Sequence, residues 1–119
     1  MTLVYTSASF WPGYNARFLV TLAHNCQKRR VPLYVGFRPH LFEFLEKIYN
    51  CGYSPILWTQ GAQEYAEQVL DFIEQKERKS KKNTFKFERR FYRSDCEKDG
   101  RKDISKLPVN AENIVILDD

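Results

Sequence analysis

Between Val31 and Ile73 the chain changes hydrophobic period three times, and this alternation narrows the possible folds more than any other feature. Val31–Phe37 (VPLYVGF) is a short apolar run of strand length. Behind Pro39, a residue suited to a first helical turn, Leu41, Phe44, Leu45 and Ile48 recur at i, i+3, i+4 and i+7, the stripe of an amphipathic helix. Gly52 supplies a stop. Pro55–Thr59 (PILWT) is again short and mostly apolar, as a buried parallel strand is. After Gly61, the residues Ala62, Tyr65, Ala66, Val69, Leu70 and Ile73 mark a second helix, which fades into KERKSKK at Lys76–Lys82. Strands alternating with helices predict an α/β domain with a largely parallel sheet.

The flanks extend this reading. Leu3–Thr6 is a candidate first strand, and Trp11-Pro12-Gly13 is a turn signal. Ala16–Leu22 and Val31–Phe37 are β-like on either side of a polar linker, His24–Arg30, which predicts an antiparallel hairpin. Phe85–Tyr92 partly alternates and reads as a half-exposed strand, Ser94–Lys102 as a polar loop, and Ile114–Leu117 (IVIL) as a further buried strand before Asp118-Asp119. Ligands of parallel sheets bind beyond the carboxyl ends of the strands. That rule selects Tyr5–Ser9, Trp58-Thr59 and Asp118-Asp119 as candidate site segments.

At 119 residues the whole stretch 1–119 is read as a single domain. No apolar run approaches the ~20 residues of a membrane span, so a membrane-spanning role is not expected. The net charge of +4 sits largely in the Lys76–Lys82 run, without an accompanying aromatic platform, so nucleic acid is not the expected partner. Cys26, Cys51 and Cys96 are widely spaced and form no ligand pattern; three reduced thiols are expected. Ser7 or Ser9 with His24 or His40 does not make a convincing hydrolase triad, because the G-x-S-x-G elbow is absent. His40 is expected to close the strand-to-helix turn, and Thr59 to cap the second helix.

The succession YVGFRPHLFEFLEKI, PILWTQGAQEYAEQVLDFI, FERRFYRSDC, GRKDISKL and NIVILDD resembles one known pattern. It is similar to the haloacid-dehalogenase-type (HAD-like) phosphatases that act on the RNA polymerase II C-terminal domain, and to the homology domain of the mitochondrial inner-membrane import receptor. The resemblance implies a Rossmannoid, mostly parallel sheet flanked by helices, with a β-hairpin inserted after the first strand. It also implies more chain beyond the final acidic pair, so 1–119 is expected to be a domain cut short after its last motif strand. It assigns Thr59 as the phosphate-binding threonine, Lys102 as the phosphate-binding lysine, and Asp118-Asp119 as the acidic pair of a Mg²⁺ site. An Asp-x-Asp-x-Thr is expected after the first strand; aligned on that strand, Tyr5, Ser7 and Ser9 stand in its place, and no carboxylate occurs before Glu43.

Covalent phosphoryl transfer needs an anionic nucleophile that also anchors a hard cation, and neutral Tyr5 or Ser7 does neither well. The expected function is therefore a catalytically inactive phosphatase-like domain with no cofactor. It would serve as a structural or protein-binding subunit of a larger complex, mitochondrial by analogy. The alternatives are a Mg²⁺-dependent phosphoserine phosphatase, with an acid supplied from elsewhere, and a phosphopeptide-binding module using Thr59 and Lys102.

Overall fold

A computed structural model describes residues 3–24, 26–107 and 109–117. The elements in chain order are β1 (Val4–Ser7), β2 (Ala16–His24), β3 (Gln27–Phe37), α1 (Leu41–Asn50), β4 (Ile56–Trp58), α2 (Gln63–Lys81) and β5 (Arg89–Phe91). Short 3₁₀ turns follow at Arg93–Asp95, Ile104–Lys106 and Ala111–Asn113.

The expected hairpin is present, and longer than the apolar runs suggest. β2 and β3 pair in antiparallel register from Ala16↔Val35 to His24↔Gln27, so most of the polar linker is strand. Polar residues are no obstacle where a strand pair extends into water, and Gln27–Arg30 are all exposed.

The arrangement is α/β, but the mostly parallel sheet is not what the strands build. β1 pairs antiparallel with β3, Val4 opposite Phe37 and Ser7 opposite Tyr34, giving a three-stranded sheet in the order β1-β3-β2. The parallel part is the separate pair β4-β5, with Ile56 opposite Arg89 and Trp58 opposite Phe91. The ladder partner of β1 is β3.

Two expected strands are shortened or lost. Only Arg89–Phe91 of Phe85–Tyr92 is strand. The amides of Phe85 and Phe87 donate to Asn83 Oδ1 (3.0 Å) and Glu74 Oε2 (2.7 Å), not to a neighbouring strand, while both rings are core. Ile114–Leu117 forms no strand, and Val115, Ile116 and Leu117 are 75%, 60% and 61% exposed. A buried strand needs a neighbour for its backbone, and the preceding Ala111–Asn113 turn leads this segment to none. Asp118 and Asp119 lie outside the described residues.

α2 follows its stripe, while in α1 Phe44 stays exposed and Phe42 packs against the core in its place. α1 turns Leu41 and Leu45 inward, and α2 turns in Ala66, Val69, Leu70 and Ile73; with Val35, Phe85, Phe87 and Tyr92 these make the core. Pro39 precedes α1 in a turn closed by Leu41 N–H to Arg38 O, and His40 adopts a left-handed φ of 66° with its ring on the Glu43 carboxylate. The lysine-rich run stays helical to Lys81, with Lys76 lying over the rings of Phe37, Phe42 and Phe72.

Two buried carboxylates of α2 set much of the energetics. Glu74 takes the Phe87 amide and the guanidinium of Arg90 (2.9 Å), which also reaches Asp71 (2.9 Å). Burial pulls the Arg90 pKa down, but hydrogen bonds to Glu74, Tyr92 and Asp71 leave it above its ordinary value. Arg90→Met leaves Glu74 with the Phe87 amide and the longer Arg78 contact (3.6 Å), and the urea midpoint should fall by the equivalent of about 1–3 kcal/mol. Glu77 is wholly buried, and its Oε2 has no hydrogen-bond partner among the described residues. Desolvation raises its pKa, so the folded chain holds this proton to higher pH than the unfolded chain. Its stability contribution is intact below the unfolded pKa and lost as pH rises through the folded one. Glu77→Gln should therefore stabilise the fold by about 1 kcal/mol at neutral pH, a gain that shrinks on acidification in thermal melts.

Candidate functional site

The described residues place one large groove between β1 and β4, over α2, with a volume of about 970 Å³. Its floor is apolar: Leu57 from β4 and Ala66, Val69, Leu70 and Ile73 from α2. Its polar end collects Thr59, Gln60, Gly61, Arg93, Asp99, Arg101 and Lys102 at the carboxyl end of β4.

Thr59 is anchored by its amide to Phe91 O (2.9 Å), and its hydroxyl accepts the Gly61 N–H (3.0 Å). It thus folds the loop onto itself and does not cap α2, whose N-cap position is Ala62 without a side-chain cap. Gly61 is required by close approach: a Cβ there would lie 2.2 Å from the Tyr65 hydroxyl and 3.2 Å from Thr59 Oγ1. Arg93 clamps the same loop, its amide to Gly61 O (3.0 Å) and its Nε to Gln60 O (2.9 Å). Gln60 reaches across to Gly100 O (2.8 Å), where a φ of 87° suits glycine. Arg101 pairs with Asp99 (2.7 Å), and Lys102 is half-buried and engaged with a neighbour. Asp103, next in the chain, caps the Ile104–Lys106 turn by accepting from Ser105, which lowers its pKa.

Thr59 and Lys102 both line this groove. Tyr5, Ser7 and Ser9 do not. Leu3, Val4 and Thr6 line the groove, whereas Tyr5 is 59% exposed and packs edge-to-face on Trp11. Ser7 Oγ accepts the Ser9 amide in a local turn (3.0 Å). Successive strand residues face opposite ways, so a one-residue difference in register decides which side chains enter the groove. Thr6 lies inside the Tyr5–Ser9 segment selected from the sequence, whereas sequence reasoning missed Gln60, Arg93 and Arg101. Arg93 had a usable signal, since it follows the carboxyl end of β5, where the same strand-end rule applies.

The described lining residues alone do not make up a Mg²⁺ site, and Asp118-Asp119 lie outside them. Asp99 is the sole carboxylate among the described lining residues, and no described cluster of His, Cys, Asp or Glu has the makings of a metal site.

With this geometry, the comparison with known proteins is decisive on lineage. The family model "NLI interacting factor-like phosphatase" matches residues 1–119. The chain belongs to that family. It is 33% identical over 123 residues to Phosphatase Herzog of Drosophila melanogaster, covering 98% of this chain and 30% of that protein. It is 33% identical over 88 residues to Nuclear envelope morphology protein 1 of Schizosaccharomyces pombe, covering 71% of this chain and 17% of that protein. The chain thus spans under a third of the length of either relative. As in the motif reading, the lineage is that of the HAD-like C-terminal-domain phosphatases.

The Gly61 contact yields a direct test. Gly61→Ala should destabilise the fold by about 1–3 kcal/mol in urea titrations, and adding Tyr65→Ala should recover part of that loss in a double-mutant cycle.

Proposed function

We infer that this domain is a phosphatase-fold binding module without turnover of its own, serving as a protein-binding subunit and retaining an anion pocket. The observation that carries this reading is the make-up of the groove. β1 turns Val4 and Thr6 towards it and no carboxylate, while Asp99, the single acid among the described lining residues, is paired with Arg101. Thr59, Arg93, Arg101 and Lys102 suit an oxyanion, through a hydroxyl and cationic N–H donors. Among the described residues nothing comparable is poised to attack phosphorus, and a neutral hydroxyl without a base is a weak nucleophile. A phosphorylated protein segment is the ligand class proposed, the phosphate at the cationic end and flanking side chains along the apolar floor.

The second reading, a Mg²⁺-dependent phosphoserine phosphatase, draws on the family description and on the name of the Drosophila relative. It requires carboxylates from outside the described residues, Asp118-Asp119 included. The name of the S. pombe relative suggests a nuclear-envelope setting as an alternative to the mitochondrial one.

One pair of assays separates the readings. The full chain with Mg²⁺ and an aryl phosphate should show no turnover above its own Thr59→Ala variant; Mg²⁺-dependent turnover abolished by that change overturns the binding-module reading. A phosphoserine peptide should bind in a salt-sensitive way and lose about tenfold in affinity (about 1.4 kcal/mol) with Lys102→Ala.

A further inference from the structure

The β1-β3-β2 sheet has a second face, turned away from the core. Residues paired across an antiparallel ladder point to the same side. Ala16, Val20 and Val35 point inward and are buried. The opposite side therefore carries Arg17 with Tyr34, Leu19 with Pro32, and Arg30 with Thr21, and Lys28 two residues before Arg30. Tyr5, opposite Gly36, joins them from β1.

One end of this face is aromatic, because the loop between β1 and β2 folds onto it. Asn15 fixes that loop to β3: its amide donates to Val35 O (2.8 Å), and its Oδ1 accepts the Phe37 amide (2.8 Å). Gly36 leaves room for the loop, since a Cβ there would meet the Trp11 ring at 3.0 Å. Trp11 lies edge-to-face on Tyr5 with centroids 5.3 Å apart, and Phe10 and Tyr14 meet Tyr34 at 5.7 and 5.1 Å. Tyr5 and Phe10 nevertheless keep 59% and 65% of their surface in water. A contiguous apolar patch of this kind marks a surface that meets a partner.

The charge beside the rings says what the partner carries. Residues 1–42 contain five lysines and arginines and no carboxylate. Arg17 stands over the Tyr34 ring at 6.0 Å. Lys28 and Arg30 continue along β3 at alternate residues, about 7 Å apart. None of these three cations has a carboxylate partner among the described residues. Glu64 reaches the sheet at the edge of β2, where it accepts the Thr21 amide (3.1 Å). A bare polyanion would use the cations and leave the rings wet. A row of cations leading to a cluster of rings matches a flexible chain that carries an anion and a flat ring in every repeat.

We propose that this face binds single-stranded nucleic acid, with phosphates along Lys28, Arg30 and Arg17 and bases against Phe10, Tyr14 and Tyr5. It lies on the side of the sheet opposite Val4 and Thr6, which line the groove. The proposal goes beyond the anion pocket of the proposed function and does not depend on it.

The test uses the full chain and a labelled oligothymidylate, with a duplex of equal charge and phosphatidylserine vesicles as the other probes. Anisotropy should show saturable binding of the single strand, about tenfold tighter than of the duplex, whose paired bases cannot reach the rings. Lys28→Ala with Arg30→Ala should weaken binding about tenfold and lower the slope of log affinity against log salt by about 1.4, or about 0.7 per phosphate contact. Phe10→Ala should weaken it about tenfold with the salt slope unchanged. These side chains are exposed, so the thermal midpoint of each variant should stay that of the parent chain. Absence of binding at low salt overturns the proposal. So does equal binding of duplex and single strand with Phe10→Ala neutral, which is attraction of charge alone. Loss of binding with Lys102→Ala but not with the Lys28 and Arg30 pair overturns it by placing the strand in the groove. Binding to the vesicles without binding to the oligonucleotide overturns it as well.

Discussion

The carboxylate of Glu74 is almost out of water, and it is the point through which helix and parallel sheet are joined. It accepts the Phe87 amide and holds the Arg90 guanidinium, the latter also tied to Asp71. A buried charge is tolerable only when paired and hydrogen-bonded, so this network fixes β5 against α2 in one arrangement. β5 in turn pairs with β4, and the Phe91 carbonyl receives the Thr59 amide. The polar end of the groove hangs from this chain of contacts, because Thr59, Gly61 and Arg93 are positioned by the strands and by each other.

The groove's two ends follow from different physics. Its floor is the inward face of α2, whose apolar spacing covers the core further along and is left open where no strand covers it. Its polar end is a set of loops after β4 and β5, bound by Gln60, Arg93 and Gly100. Side chains that recognise an anion therefore sit beside a surface that prefers an apolar chain. That combination suits recognition of a charged group carried on a protein.

Much of the fold was legible because it rests on local pattern. The stripes of α1 and α2 and the β-rich runs of the hairpin report burial at fixed periods, and the structure turns those faces inward. Thr59 was legible as a strand-end residue, and Lys102 entered only through the family resemblance; both line the groove. Phe85 and Phe87 misled: alternation indicated a strand, but their amides are taken by Asn83 and Glu74, side chains from elsewhere in the fold. Glu74 and Glu77 gave no signal, since a glutamate in a charged helix reads as solvated until its neighbours are known.

By itself, the sequence determined the helices, the hairpin, the lineage and the absence of any carboxylate before Glu43, because these depend on residue identity and short-range spacing. Only the tertiary structure decided that β1 joins β3 and not a parallel sheet, and that Val4 and Thr6 face the groove where Tyr5 and Ser7 do not. It also left Ile114–Leu117 in water. The physical reason is that a strand is half a structure. Its partner, direction and inward face are set by backbone hydrogen bonds to residues far away in the chain, and alternation alone leaves all three open.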